Sequence, residues 1–158
     1  MRQLYRLVSI FITINYLALT TPVEAGDAKS ADLVRGGEPC NMCDLRYEDF
    51  SSLSLDNISL RGAYLFNAKF ERASLIGANL ESASIVLGNL KRVDLSKAML
   101  AKANLQKASM FGATLRGANL RFARLVDANL EASELTGADL TSSNLSGVNL
   151  TDAFADRA

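Results

Sequence analysis

The chain has 158 residues, 17 basic and 17 acidic side chains, 49% apolar residues, two cysteines, and neither histidine nor tryptophan. The missing histidine excludes Ser-His-Asp and Cys-His catalysis and histidine-ligated metals, and the charge balance argues against a strongly basic nucleic-acid binder. Length and apolar content predict a single soluble domain with a substantial core.

Arg2 and Arg6 precede Leu7 to Thr20, a run in which ten of fourteen residues are apolar. Pro22 and Val23-Glu24-Ala25 follow with cleavage-site spacing, so residues 1–25 read as a secretory signal peptide. Asn15 interrupts the run, and a spanning helix needs about 20 apolar residues, so no stable membrane span is expected after cleavage. Losing Arg2, Arg6 and Glu24 leaves 15 basic and 16 acidic residues. The expected location is periplasmic or secreted, or the thylakoid lumen if the source is photosynthetic.

Residues 26–39 read as an N-terminal cap. Within them Ser30-Ala-Asp-Leu-Val-Arg35 has a serine N-cap candidate and Gly36 as a stop, the signals of a short helix. Cys40 and Cys43 then form a C-x-x-C.

A five-residue period fills the rest. Every position divisible by five from 45 to 150 is apolar, and 18 of these 22 are leucine, the others being Phe50, Phe70, Ile85 and Met110. Two residues before each lies a column rich in alanine, and between them sits a polar residue, as in Ala78-Asn79-Leu80 and Ala118-Asn119-Leu120. In an α-helix successive leucines would step by about 140° and form no stripe. In a straight strand each would face opposite to the last. Only a chain that bends once per repeat keeps them on one side. Glycine two residues after the leucine, as at Gly62, Gly77 and Gly137, suits that bend because it accepts a positive φ.

The run from Cys43 to Asp152 resembles the pentapeptide-repeat family, whose motif is Ala-(Asp/Asn)-Leu-X-X. The resemblance implies an all-β fold, a right-handed quadrilateral parallel β-helix (solenoid) with four pentapeptides per coil. Over residues 40–152 that makes about five and a half coils, with residues 153–158 as a C-terminal tail. Residues twenty apart should then stack, Phe50 on Phe70 with Leu90, Met110, Leu130 and Leu150 beyond.

The first coil departs from the motif, because its alanine column reads Cys43, Glu48, Leu53 and Ile58. A charged Glu48 cannot face an apolar core unpaired, so this coil is expected to be distorted and covered by the Ser30–Arg35 stretch. The C-x-x-C has three readings. Zinc needs about four ligands, and no histidine or third cysteine is available. A thioredoxin-like pair needs a βαβ setting, which is absent. A structural disulfide fits best, since Cys40 and Cys43 fall on the central and alanine columns on either side of one corner.

Three of every five residues face outward and must carry any function. Tyr64, Phe66, Val86, Leu87 and Val126 form a candidate apolar patch. Arg92, Lys97, Lys102 and Lys107 occupy one repeat position on four successive faces, a candidate basic belt suited to acidic polymers or to the acidic C-terminal half of another copy. The eight residues after Leu150 are too few for a stable helix, so the C-terminal edge is open to self-association. No catalytic, cofactor or metal site is expected. The function these features imply is a noncatalytic exported module acting on an unknown protein partner or as a structural element. Two alternatives stand beside it. Some family members mimic DNA and bind topoisomerase, which calls for a strongly acidic cytoplasmic surface that this chain lacks. An envelope redox protein would use the C-x-x-C.

Overall fold

The computed structural model describes residues 26–158. The signal-peptide reading of residues 1–25 lies outside them.

From Asp44 onward the chain pairs with itself at a constant offset. Nineteen parallel bridges join residue i to residue i+20, from Asp44↔Tyr64 to Glu134↔Phe154, and each bridge is one residue long. A period of five with an offset of twenty produces four ladders round a common axis, named here by their first members: Asp44, Asp49, Ser54 and Ser59. Along each ladder, central residues donate upward and bridging residues donate downward. The Leu60 N–H donates to the Asn79 carbonyl at 2.8 Å, and the Tyr64 N–H to the Cys43 carbonyl at 2.8 Å.

Each corner is a turn closed by an N–H in the alanine column, such as Ala63 to the Leu60 carbonyl at 3.0 Å. The second corner residue has positive φ at every repeat from Met42 to Arg157, at eighteen non-glycine residues and six glycines. Glycine is therefore tolerated there rather than required. A positive φ at this one position is the signature of a type II turn, and its side chain points to solvent, which lets Lys, Arg, Ser and Asn take it.

The asparagine and aspartate beside each leucine have a specific task. The ladders use three of the five N–H groups and the turn uses a fourth, leaving that of the first corner residue. An Asx side chain accepts it: Asn79 Oδ1 from the Glu81 N–H at 3.0 Å, Asn129 from Glu131 at 3.0 Å, Asp139 from Thr141 at 2.9 Å. Where the slot holds Ser59 or Ser74, a side chain one coil below substitutes. Asn41 Oδ1 accepts the Arg61 N–H and Asp56 Oδ1 the Ile76 N–H, both at 3.1 Å.

The interior is filled by the leucine and alanine columns, which are buried from Leu45 to Ala138 apart from Glu48 and Leu53. Phe50 stacks on Phe70 with ring centroids 5.2 Å apart, as the twenty-residue stacking predicts.

Two expectations about the N-terminal end need correction. The helix, α1, is Ala28–Arg35, and its N-cap is Asp27 rather than Ser30. Asp27 accepts from the Lys29 N–H and from Ser30 Oγ, so the serine serves the cap from inside the first turn. Beyond Gly36, Gly37 takes the left-handed conformation, and the Glu38 N–H donates to Leu33, a Schellman ending. The first coil is not distorted either, since its residues bridge to the second in full register. Bulk in the alanine column is absorbed by loosening the turns: that hydrogen bond lengthens to 3.4 Å at Glu48, 3.3 Å at Leu53 and 3.2 Å at Ile58. Glu48 is held by Arg35 of α1, whose Ala31 and Val34 close the core.

Candidate interaction surface

With the interior filled, the outward side chains of the ladders and corners are what a partner can meet. The corner between the Asp44 and Asp49 ladders gathers the apolar patch. Phe66 and Val86 stand on adjacent coils, half-buried, while Tyr64 and Leu87 beside them are 51% and 45% exposed. Val126 lies two coils beyond Val86 with Gln106 between, so it does not join them. Tyr47 does: its ring meets Phe66 edge to face at 5.4 Å. The sequence patch took Leu87 from the same corner column but not Tyr47, because Asn67 interrupts that column between them. The backbone bond from the Tyr47 N–H to the Phe66 carbonyl, an offset of nineteen, brings the two together.

Arg92, Lys97, Lys102 and Lys107 occupy the left-handed position of four successive corners, encircling the rod at one level. All four are exposed, and none forms an ion pair among the described residues. The basic middle is partly answered within the chain, since Arg116 pairs with Glu134 and Arg121 with Asp139 at 3.2 Å.

Three surface carboxyls sit below their ordinary value. The Arg46 guanidinium lowers Asp44, hydrogen bonding from Ser51 lowers Asp49, and hydrogen bonding from Thr141, with Arg121 contributing less, lowers Asp139. These shifts come from the Asx turns and their neighbours, not from a catalytic cluster.

Cys40 and Cys43 have sulfurs 2.07 Å apart and Cα atoms 5.6 Å apart, the geometry of a disulfide. Cys40 is buried beneath α1, its sulfur 3.7 Å from the Ser30 carbonyl. Among the described residues no group of His, Cys, Asp or Glu is arranged to hold a metal ion. A depression at the C-terminal end is lined by Gly137, Asp139, Thr141 and Arg157. Its carboxylate is committed to Arg121, and Arg157 leans on Asp156.

Comparison with known proteins places this architecture. A family model of pentapeptide repeats matches residues 43–81, 88–117 and 115–152, in 8 copies. No curated protein matches. Similar solved structures include a pentapeptide repeat protein from the Arabidopsis thaliana thylakoid lumen, 24% identical with a TM-score of 0.60 over 77% of each chain. HetL, a pentapeptide repeat protein involved in heterocyst differentiation regulation from Nostoc sp. strain PCC 7120, is 29% identical with a TM-score of 0.50 over 72% of this chain and 59% of its own. Rfr23 from Cyanothece 51142 is 28% identical with a TM-score of 0.45, over 82% and 97%. The fold is a right-handed β-helix. With the repeat matched over more than half its length, the chain belongs to the pentapeptide-repeat family.

Proposed function

We propose that this protein is a noncatalytic, exported rod of about five and a half coils that serves as a protein-interaction or structural module through its outer faces. The observation that carries this reading is the corner patch. Tyr47, Phe66, Val86 and Leu87 are large apolar side chains standing together on an outer corner, although the motif leaves those positions free to be polar. Apolar side chains clustered in this way mark partner sites. The unpaired cations of the belt do not suit DNA mimicry, which needs an acidic surface. The burial of Cys40 beneath α1 supports a structural clasp over a redox pair, and two free thiols found by mass spectrometry after oxidising export would remove the clasp. Among the described residues no helix is long and apolar enough to cross a membrane.

Cross-linking and capture from the native envelope tests the patch. Changing Phe66→Ser and Val86→Ser should abolish the captured species, and unchanged captures would remove this reading.

A second mode, self-association, is favoured by Leu145 and Leu150, which are exposed although their column is buried from Leu45 to Leu135, and by Phe154, exposed beside them at the same end. Sedimentation equilibrium should show a dimer weakened by Leu150→Ser; a monomer at every concentration would count against it.

A further inference from the structure

The rod is two-sided. On the Asp44 ladder and the two corners that flank it stand four of the large apolar side chains most exposed along its length: Met42 at 70%, Phe122 and Tyr64 at 51% each, and Leu87. The same side carries six basic and three acidic residues. Lys102, Lys107 and Arg124 among them have no ion pair within the described residues. The opposite Ser54 ladder presents Ser54, Ser74, Asp94, Thr114 and Glu134 before Phe154 at its end. Its flanking corners balance basic with acidic residues.

We infer that the Asp44 side lies flat against an anionic lipid bilayer. This goes beyond the protein contact proposed above, which rests on Tyr47, Phe66, Val86 and Leu87 at one corner and shares Leu87 with this side. Exposed apolar tips mixed with unpaired cations are the chemistry of interfacial membrane attachment, in which apolar groups enter the headgroup boundary and lysines and arginines meet lipid phosphates. Geometry favours a bilayer over a peptide. The backbone groups of this side are spent within the ladder, so no strand can be added to it. Its apolar tips also extend beyond the corner patch that holds Tyr64 and Leu87, because Met42 and Phe122 stand apart from it. Met42 and Phe122 lie on one edge, Tyr64 in the middle and Leu87 on the other edge, and Met42 to Phe122 spans four coil spacings, roughly 19 Å. A protein partner would need separate pockets at matching positions. A fluid lipid surface supplies apolar depth and negative charge wherever each side chain falls.

The test is co-sedimentation of the purified protein with vesicles of phosphatidylcholine alone and of phosphatidylcholine mixed equally with phosphatidylglycerol. Binding should appear on the anionic vesicles and fall with salt. Each cation removed should weaken it about fivefold, so Lys102→Ala, Lys107→Ala and Arg124→Ala together should weaken it about a hundredfold. Tyr64→Ser with Phe122→Ser should weaken it further. Lys97→Ala and Ile76→Ser, away from this side, should leave it unchanged, and thermal unfolding checks that each variant is folded. No binding to anionic vesicles at low salt, equal binding to neutral ones, or binding unaffected by the triple variant would overturn the inference. So would an acidic protein captured through Lys102, Lys107 and Arg124 without vesicle binding. Phe66 and Val86 lie on the same side but half-buried, so their serine variants should abolish capture while weakening vesicle binding far less than Tyr64→Ser with Phe122→Ser does, which separates this result from the protein-contact reading.

Discussion

The guanidinium of Arg35 stands 2.7 Å from the Glu48 carboxylate, tying the last residue of α1 to the first coil. Glu48 occupies the alanine column with its side chain only 13% exposed, and Arg35 also reaches Asp32 and lies over the Phe50 ring. Removing Arg35 would strand a carboxylate that water barely reaches. Arg35→Ala should therefore cost about 1–2 kcal/mol, between the values for exposed and buried pairs because the arginine itself is partly solvated. Glu48→Ala restores the repeat's own residue and should cost less. Adding Arg35→Ala to it should then do little further harm. A urea double-mutant cycle with no coupling would show that the pair does not hold the cap.

Ile85 and Gly88 form a second coupled pair. A Cβ on Gly88 would lie 2.7 Å from Ile85 Cγ2, so the β-branched residue occupies the space that alanine fills in neighbouring repeats. Gly88→Ala should destabilise by about 1–3 kcal/mol through overpacking. Ile85→Leu with Gly88→Ala recreates the Leu80 and Ala83 arrangement and should recover most of the loss. If the double variant costs the sum of the single ones, the space is not shared.

These two pairs mark where sequence reading stops. Central columns, corners and stacking order are legible because a five-residue period allows one geometry in which all the leucines face inward, and Phe50 on Phe70 follows from counting twenty. The identity of corner residues is not legible as conformation, since a side chain pointing to solvent leaves no constraint beyond φ. The role of Asn79 or Asn129 depends on which N–H the ladders leave over, which appears only once the register is known. Arg35 and Glu48 meet across thirteen residues through the angle of α1, and no periodicity carries that. On the surface, the column of Phe66 and Val86 does not contain Tyr47, and the two-sidedness of the rod emerges only when a ladder and both of its flanking corners are set side by side.

The lowered carboxyls at Asp44, Asp49 and Asp139 set a pH dependence. A group whose folded pKa lies below its unfolded value of about 3.9 adds stability that is complete above that value and is lost as pH falls through the folded pKa. The urea midpoint should hold steady from neutral pH to about pH 4 and fall below it. Replacing all three with asparagine keeps the Oδ1 acceptor, as Asn79 and Asn129 show, but removes the titration. The triple variant should have a shallower acid limb, and an unchanged limb would place the acid sensitivity elsewhere.

Ser133 occupies the alanine column between Ala113 and Ala153, is 1% exposed, and its hydroxyl has no hydrogen-bond partner among the described residues. Burying an unpaired hydroxyl costs free energy that an alanine methyl group does not, and the site already accepts the larger side chain. Ser133→Ala should therefore stabilise the rod by about 1 kcal/mol. The same column predicts the opposite sign for added bulk. Ala103 is fully buried, and Ala103→Leu should destabilise by about 1–3 kcal/mol because the alanine slot has no room for three more carbons. Thermal unfolding of both variants measures the interior from two sides. If Ser133→Ala lowers the midpoint, its hydroxyl has a partner, such as a buried water; if Ala103→Leu leaves it unchanged, the interior is looser than a column of methyl groups in contact.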